Sequence, residues 1–424
     1  MSSLDSSASS GAEQTRTGYP LVTALTYAMF FMFAMTTDAV GEIISIAKEE
    51  MNLSNTEASL FHWATMVGIA LSGILLGSLA DSIGRKKAII VGLAVYAISC
   101  AAFFGFSSFA FYLGLLFAGG LAIGVFKTAI LALIGDIAVS THDHTRRMNA
   151  CEGFFGIGAI IGPMIVVSLD KAGLSWRWLY LFAAAMCVVM IIASLRTTYP
   201  SVPRSKKPEN EKTDTDLLST IRLMGNRYAM GFSIAIALYV ACEVSIFVWA
   251  PTLFADFTGT PLATAVAAYA VMIFFILRAL GRFLAVWILQ MFDWKLVMAA
   301  FTGVIFLCFL LSAVMGKATA VFLLPFSGLF MSMIYPTFNS KGISCLPKAK
   351  HGAAAGLILF FTAVSAAFAP LLMGYVSDTF GGGNMEIGFR LATIFAGLLF
   401  VFAIYNAIAD PAGSTLAEAD SQEY

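Results

Sequence analysis

Ionisable side chains stand inside long apolar runs of the sequence, and Asp38, Lys127, Glu243 and Arg278 are the ones of most interest. A charge at the centre of a bilayer costs at least about 2.5–3.5 kcal/mol, so such residues normally face a cavity or a partner of opposite sign. Two kinds of chemistry are open to them. Lys127 and Arg278 can hold an anionic group, and the carboxylates Asp38 and Glu243 can take up and release a proton. The proton affinity of a carboxylate depends on the water and charge around it, so a motion of Lys127 relative to Asp38 or Glu243 would switch it. The bland alternative is structural: Lys127 pairs with Asp38 or Glu243, Arg278 pairs with a neighbouring helix, and both serve packing alone. Glu42 lies four residues beyond Asp38 on the same helical face, nearer the end of its run, where a solvated mouth residue is expected. Tyr27, Tyr239, Trp249 and Tyr335 offer rings on which a solute can stack, although packing and lipid-facing roles are commoner for aromatics. Amides that could face such a cavity are scarce, and Asn339 stands nearly alone among them. Sugar hydroxyls must recover the hydrogen bonds they lose from water, so this set suits a charged or zwitterionic solute better than a neutral sugar.

The elements that must position these residues are membrane spans. Of the 424 residues, 59% are hydrophobic and 12% charged, against about 25% charged in soluble domains; the mean hydropathy is +0.85. A span needs about 20 mostly apolar residues. Twelve such runs are present, at 20–45, 57–80, 88–106, 110–138, 149–169, 178–195, 228–254, 264–290, 296–314, 318–343, 353–377 and 389–408. They are expected to be helices, because backbone groups in lipid must be bonded internally and barrel strands would alternate in polarity. Loop lysines and arginines divide sixteen against five. The rich side holds Arg16, Arg85–Lys87, Arg146, Arg147, Lys295, Lys348, Lys350 and the basic residues of 196–227; the poor side holds Lys48, Lys171, Arg177, Lys317 and Arg390. The positive-inside rule then places both termini in the cytoplasm.

Residues 1–18 are Ser-rich and polar, and read as a disordered tail, not a signal peptide. The stretch 196–227 is the only long polar segment inside the chain. It divides the protein into six-span halves at 19–195 and 228–408, with a tail at 409–424. An internal echo supports the division: Gly162-Pro163, an apolar run, Asp170 and then Trp176-Arg177 matches Ala369-Pro370, an apolar run, Asp378 and then Phe389-Arg390. Such halves are expected to rock about a site near the bilayer midplane. The six cysteines lie in or beside spans with no paired spacing, as reduced structural residues do.

Between the second and third spans runs Gly77-Ser-Leu79-Ala-Asp81-Ser-Ile-Gly84-Arg85-Lys86-Lys87. Gly77 lets a neighbouring helix approach, Gly84 permits a tight reversal, and Asp81 can face a helix N-terminus or a cation. An ordinary basic turn would explain Arg85–Lys87 but not Gly77, Asp81 and Gly84 together. This segment closely resembles the signature loop of the major facilitator superfamily. The resemblance implies that Arg85 engages an acidic residue at the end of the fourth span, Asp136 here, with Glu152 joining the same gating network. It also implies that the first, fourth, seventh and tenth spans line a central cavity where Asp38, Lys127 and Glu243 meet.

Within that superfamily several segments are similar to the fucose–proton symporter family: Thr37-Asp38 to Glu42, Tyr239-Val-Ala-Cys-Glu243-Val, Gly281-Arg282-Phe283 and Tyr335-Pro336-Thr337. One departure is chemical. Where that family often carries a glutamate or glutamine in the fourth span, this chain reads Phe126-Lys127-Thr128-Ala129, which sets the substrate expected from the resemblance against the cavity chemistry.

The expected protein is therefore an all-α polytopic membrane protein of twelve helices in two pseudo-symmetric six-helix bundles. It would move a small polar solute (a sugar, a small organic acid or a zwitterion) by alternating access, as a proton-coupled symporter. A proton-coupled efflux antiporter is the rival, because Gly158-Ala-Ile-Ile-Gly162-Pro163 resembles an antiporter motif of the fifth span. A pump is disfavoured by the lack of a phosphate loop, and a membrane enzyme by four scattered histidines and no nucleophile elbow; the pair His142 and His144 beside Asp143 reads as a solvated loop. Small-molecule substrate and lipid bilayer are the implied partners, with no nucleic acid, no cofactor beyond the coupling proton, and a monomeric state.

Overall fold

The computed structural model describes residues 19–75, 83–137, 141–200, 223–346 and 351–415. Every regular element among them is helical, as lipid requires of a chain with no closed barrel. Eleven helices among the described residues are long and apolar enough to cross a membrane. The remaining span, the second, is the helix Asn55–Leu75, which leads into residues that are not described. Residues 201–222, most of the expected linker, also lie outside the described residues.

Three spans are broken where the sequence suggested continuous helices. The first consists of Pro20–Thr37 and Val40–Met51, and runs past the expected end at 45. Its break follows Thr36 and Thr37, whose hydroxyls both donate to the Phe33 carbonyl, at 3.0 and 2.9 Å, and compete with the backbone ladder there. The tenth consists of Lys317–Met331 and Ile334–Ser344. Pro336 has no N–H for the Ser332 carbonyl, four residues back, and the helix parts at that point. The eighth is interrupted at Tyr269, between Pro261–Ala268 and Ala270–Met291.

The packing repeats between halves. In the first half the first span lies on the fifth, the second on the fourth, and the third on the fourth and sixth. In the second half the seventh lies on the eleventh, the eighth on the tenth, and the ninth on the tenth and twelfth. These are the same pairs shifted by six, so the two bundles share one architecture. The fifth span seats directly on the first: a Cβ at Gly158 or Gly162 would collide with the carbonyls of Phe31 and Met35. Close backbone approach between helices needs small residues at this spacing, which accounts for Gly158 and Gly162.

Between bundles the second span meets the eleventh, the fifth meets the eighth, and Val40–Met51 meets the seventh. Their cross-bundle bonds, at Asn55, Thr56, Lys171, Tyr269 and Asp378, lie at the end of the protein opposite Arg85. Gly41 packs there against the Phe247 carbonyl so closely that no side chain fits. That end is shut.

Candidate functional site: a charged cluster between the bundles

Span seven, Arg227–Phe254, turns Tyr239 and Glu243 to one face, one turn apart. Span eight brings Arg278 against them: its Nη2 lies 2.5 Å from Glu243 Oε1, in a half-buried ion pair. The Tyr239 hydroxyl is buried beside this pair without a well-formed hydrogen bond, and its ring lies 6.3 Å from that of Tyr335 on the tenth span. Arg278 is thus paired within its own bundle, as the structural alternative for it required.

Across the interface, the break in the first span delivers Asp38. Its carboxylate is buried, receives a 3.4 Å bond from the Thr37 hydroxyl, and lies within electrostatic range of Arg278, Glu243 and Lys127. Lys127 stands on the long helix Phe109–Ile137, half-buried. No carboxylate among the described residues comes within ion-pair distance of it. Its ammonium lies 4.7 Å from the centre of the Phe33 ring, with Glu152 and Asp38 as its charged neighbours. The sequence-expected set of Asp38, Lys127, Glu243, Arg278, Tyr239 and Tyr335 is therefore brought together. Asn339 is not joined to it by any contact among the described residues; it lies one turn beyond Tyr335, half-buried and without a side-chain hydrogen bond.

Glu152 has neighbours that the expected gating network did not include. The apolar span begins at Ala150, as expected, but its helix begins at Thr141, so Glu152 lies near the start of the span and about three turns inside the helix. It is exposed there, within electrostatic range of Lys127, Arg278 and Arg282. The polar run Thr141–Asn149 hid these turns, because apolarity alone marks a span and not a helix that continues beyond lipid. Arg282 completes the cluster and was read only as part of a resemblance; its spacing of four from Arg278, which puts both on one face, is the signal that could have found it. Asp38, Glu152 and Glu243 face Lys127, Arg278 and Arg282, so the site balances in formal charge.

The other candidates separate. Arg85 Nε lies 3.1 Å from Asp136 Oδ2, at the end of the fourth span, and Gly84 before it takes φ +91°. Gly77 and Asp81 lie outside the described residues. Glu42 is half-buried near Asp170, away from the cluster. Tyr27 stacks on Phe154 at 5.0 Å, and Trp249 is buried with its indole N–H on the Pro370 carbonyl at 3.0 Å, so Trp249 is a packing residue.

The family model described as Major Facilitator Superfamily matches residues 24–370. The L-fucose-proton symporter of Escherichia coli (strain K12) is 24% identical, the match covering 93% of this chain and 95% of that protein. A glucose/galactose transporter of Brucella abortus is 25% identical over 87% of this chain and 90% of its own length. Among solved structures, the nucleoside transporter NupG superposes with a TM-score of 0.72 at 18% identity, covering 92% of this chain and 98% of that one.

Proposed function

This chain belongs to the major facilitator superfamily, and from that premise we propose that it carries a small hydroxylated solute bearing an acidic group, together with a proton. One observation carries the reading: Lys127, deep in a membrane span and beside Phe33, has no ion-pair partner among the described residues. Glu243 and Arg278 neutralise each other, so the cations left for a solute are Lys127 and the more exposed Arg282, and Lys127 is the one beside Asp38. An anionic group of the solute would take the place beside Lys127, and Tyr239 and Tyr335 would flank its body. Asp38, between Lys127 and the Glu243–Arg278 pair, is the proposed proton site. When the bundles rock, its distance from Arg278 of the other bundle changes, and with it its hold on the proton. In this reading both termini face the cytoplasm, on the same side as Arg85.

The relatives favour a second reading, a neutral hexose in the same site, since they are named as transporters of fucose and of glucose and galactose. Thermal stabilisation of the purified protein by matched pairs (a hexose and its uronic or aldonic acid) separates the two. The acid is expected to stabilise the wild type and to lose its effect in Lys127→Met, while the hexose does neither. Stabilisation by the hexose alone, unchanged in Lys127→Met, would overturn the acidic-solute reading.

A further inference from the structure

At the shut end, one carboxylate holds the two bundles together. The helix Asn55–Leu75 has its own capping box: the Glu57 N–H donates to Ser54 Oγ at 3.2 Å, and the Ser54 N–H and hydroxyl donate to Glu57 Oε2, both at 2.9 Å. That arrangement uses the third N–H of the first turn and leaves those of Asn55 and Thr56 without an intrahelical acceptor. Both are supplied from the other bundle. The Asn55 N–H donates to Asp378 Oδ1 at 3.1 Å, and the Thr56 N–H and hydroxyl donate to Asp378 Oδ2 at 2.7 and 2.6 Å. The Asn55 amide donates in turn to Ser377 Oγ at 3.0 Å and to the Gly383 carbonyl at 2.9 Å. A carboxylate at a helix N-terminus also meets the positive end of the helix dipole.

The same face of the second span continues the contact. His62, two turns further on, is 1% exposed. Its ring stands edge-on to Phe247 at 5.9 Å and approaches the Ala366 carbonyl without closing a well-formed bond. Pro370, four residues on, leaves that carbonyl without its helical donor. The pseudo-symmetric interface is built differently. Asp170 ends the fifth span as Asp378 ends the eleventh, yet it is exposed, and the bond there runs from Lys171 Nζ to the Tyr269 hydroxyl at 3.0 Å. Only one of the two equivalent aspartates caps a helix of the opposite bundle.

We propose that Asp378 is the latch of this end of the transport cycle: it caps the second span across the interface while the end is shut, and releases it when the end opens. Both sides of the bond lie near a span terminus, where water can replace the lost partners, so release leaves no orphaned group in lipid. Asp378 acts by positioning the bundles and touches no solute. The claim is independent of which solute is carried.

The test is a distance measurement on the full chain in lipid vesicles, without substrate. Spin labels at Leu174→Cys and Thr258→Cys place one probe on each bundle at this end, and all six native cysteines are buried. Asp378→Ala removes three hydrogen bonds, one acceptor being charged, and is expected to raise the long-distance population at least about tenfold. Asp378→Asn, which keeps an acceptor but loses the charge, should fall between. Asn55→Ala, on the opposite bundle, should shift the same way, and combining it with Asp378→Ala should add less than its separate effect. A lowered Tm with an unchanged distance distribution in Asp378→Ala and Asn55→Ala would overturn the latch and leave a purely structural cap.

Discussion

The ammonium of Lys127 over the Phe33 ring gains about 0.5–2 kcal/mol from the cation–π contact. That alone falls short of the roughly 2.5–3.5 kcal/mol or more that a mid-bilayer charge costs, and Asp38 and Glu152 add attraction from a distance without an ion-pair contact. Charges so placed are usually functional, and replacing this one by methionine should leave folding intact or improve it. The Glu243–Arg278 pair behaves oppositely. Each charge is compensated by the other at 2.5 Å, so Glu243→Gln leaves a half-buried guanidinium with no anion in contact. Removing one partner of a buried pair costs about 3–5 kcal/mol. Glu243→Gln is therefore expected to lower the melting temperature in detergent substantially, and a double Glu243→Leu, Arg278→Leu variant to recover most of the loss. Equal melting of Glu243→Gln and wild type would show that the pair is not structural. The types of these residues, and their depth in apolar runs, were legible from sequence. Their pairing was not, because four charges on different spans admit several matchings and only packing selects Glu243 with Arg278.

Among the elements, the twelve apolar runs were easy to read because a span is defined by length and composition, and each run overlaps a helix among the described residues. What composition does not carry is a break. Thr36-Thr37-Asp38 contains no glycine or proline, so nothing in it marked the helix as ending there; the two hydroxyls on one carbonyl do that in three dimensions. Pro336 in the tenth span was a readable signal. The echo of Asp170 and Asp378 was also visible, but not that only the second would reach the other bundle, since that depends on how the halves are docked. The helix Arg85–Ala101 is tied to the fourth span through Arg85 and Asp136, at an end where the cross-bundle bonds of Asp378 are absent. This bond holds two helices of one bundle, so its loss should affect conformational exchange more than assembly. Arg85→Ala and Asp136→Asn are each expected to reduce transport turnover at least about tenfold, the weight of one charge-assisted bond of 1.5–3 kcal/mol, with normal membrane insertion. Wild-type turnover at equal surface expression in both variants would remove Arg85 and Asp136 from the gating machinery.

For the whole molecule, the decisive quantity is the coupling between bundle motion and the protonation of Asp38. Asp38 belongs to the first bundle, and Arg278 with Glu243 to the second. In the present state, shut at the Asp378 end, the bundles hold Asp38 within range of Arg278. Opening that end must carry the first span away from the seventh, because Gly41 lies against the Phe247 carbonyl and cannot slide along it. Asp38 then loses the cation of the opposite bundle and keeps the one of its own, Lys127. A carboxylate that exchanges cations between two states binds its proton differently in each, and a difference of one pKa unit is about 1.4 kcal/mol of coupling. Asp38→Asn fixes the site in a neutral form and removes that difference while leaving the cavity in place. In vesicles, this variant is expected to retain exchange of labelled for unlabelled solute across the membrane but to lose accumulation driven by an imposed pH gradient. Retained accumulation in Asp38→Asn would move the proton site elsewhere in the cluster, to Glu152 or Glu243. Loss of both exchange and accumulation, with the solute still bound, would make Asp38 a residue of the rocking motion itself.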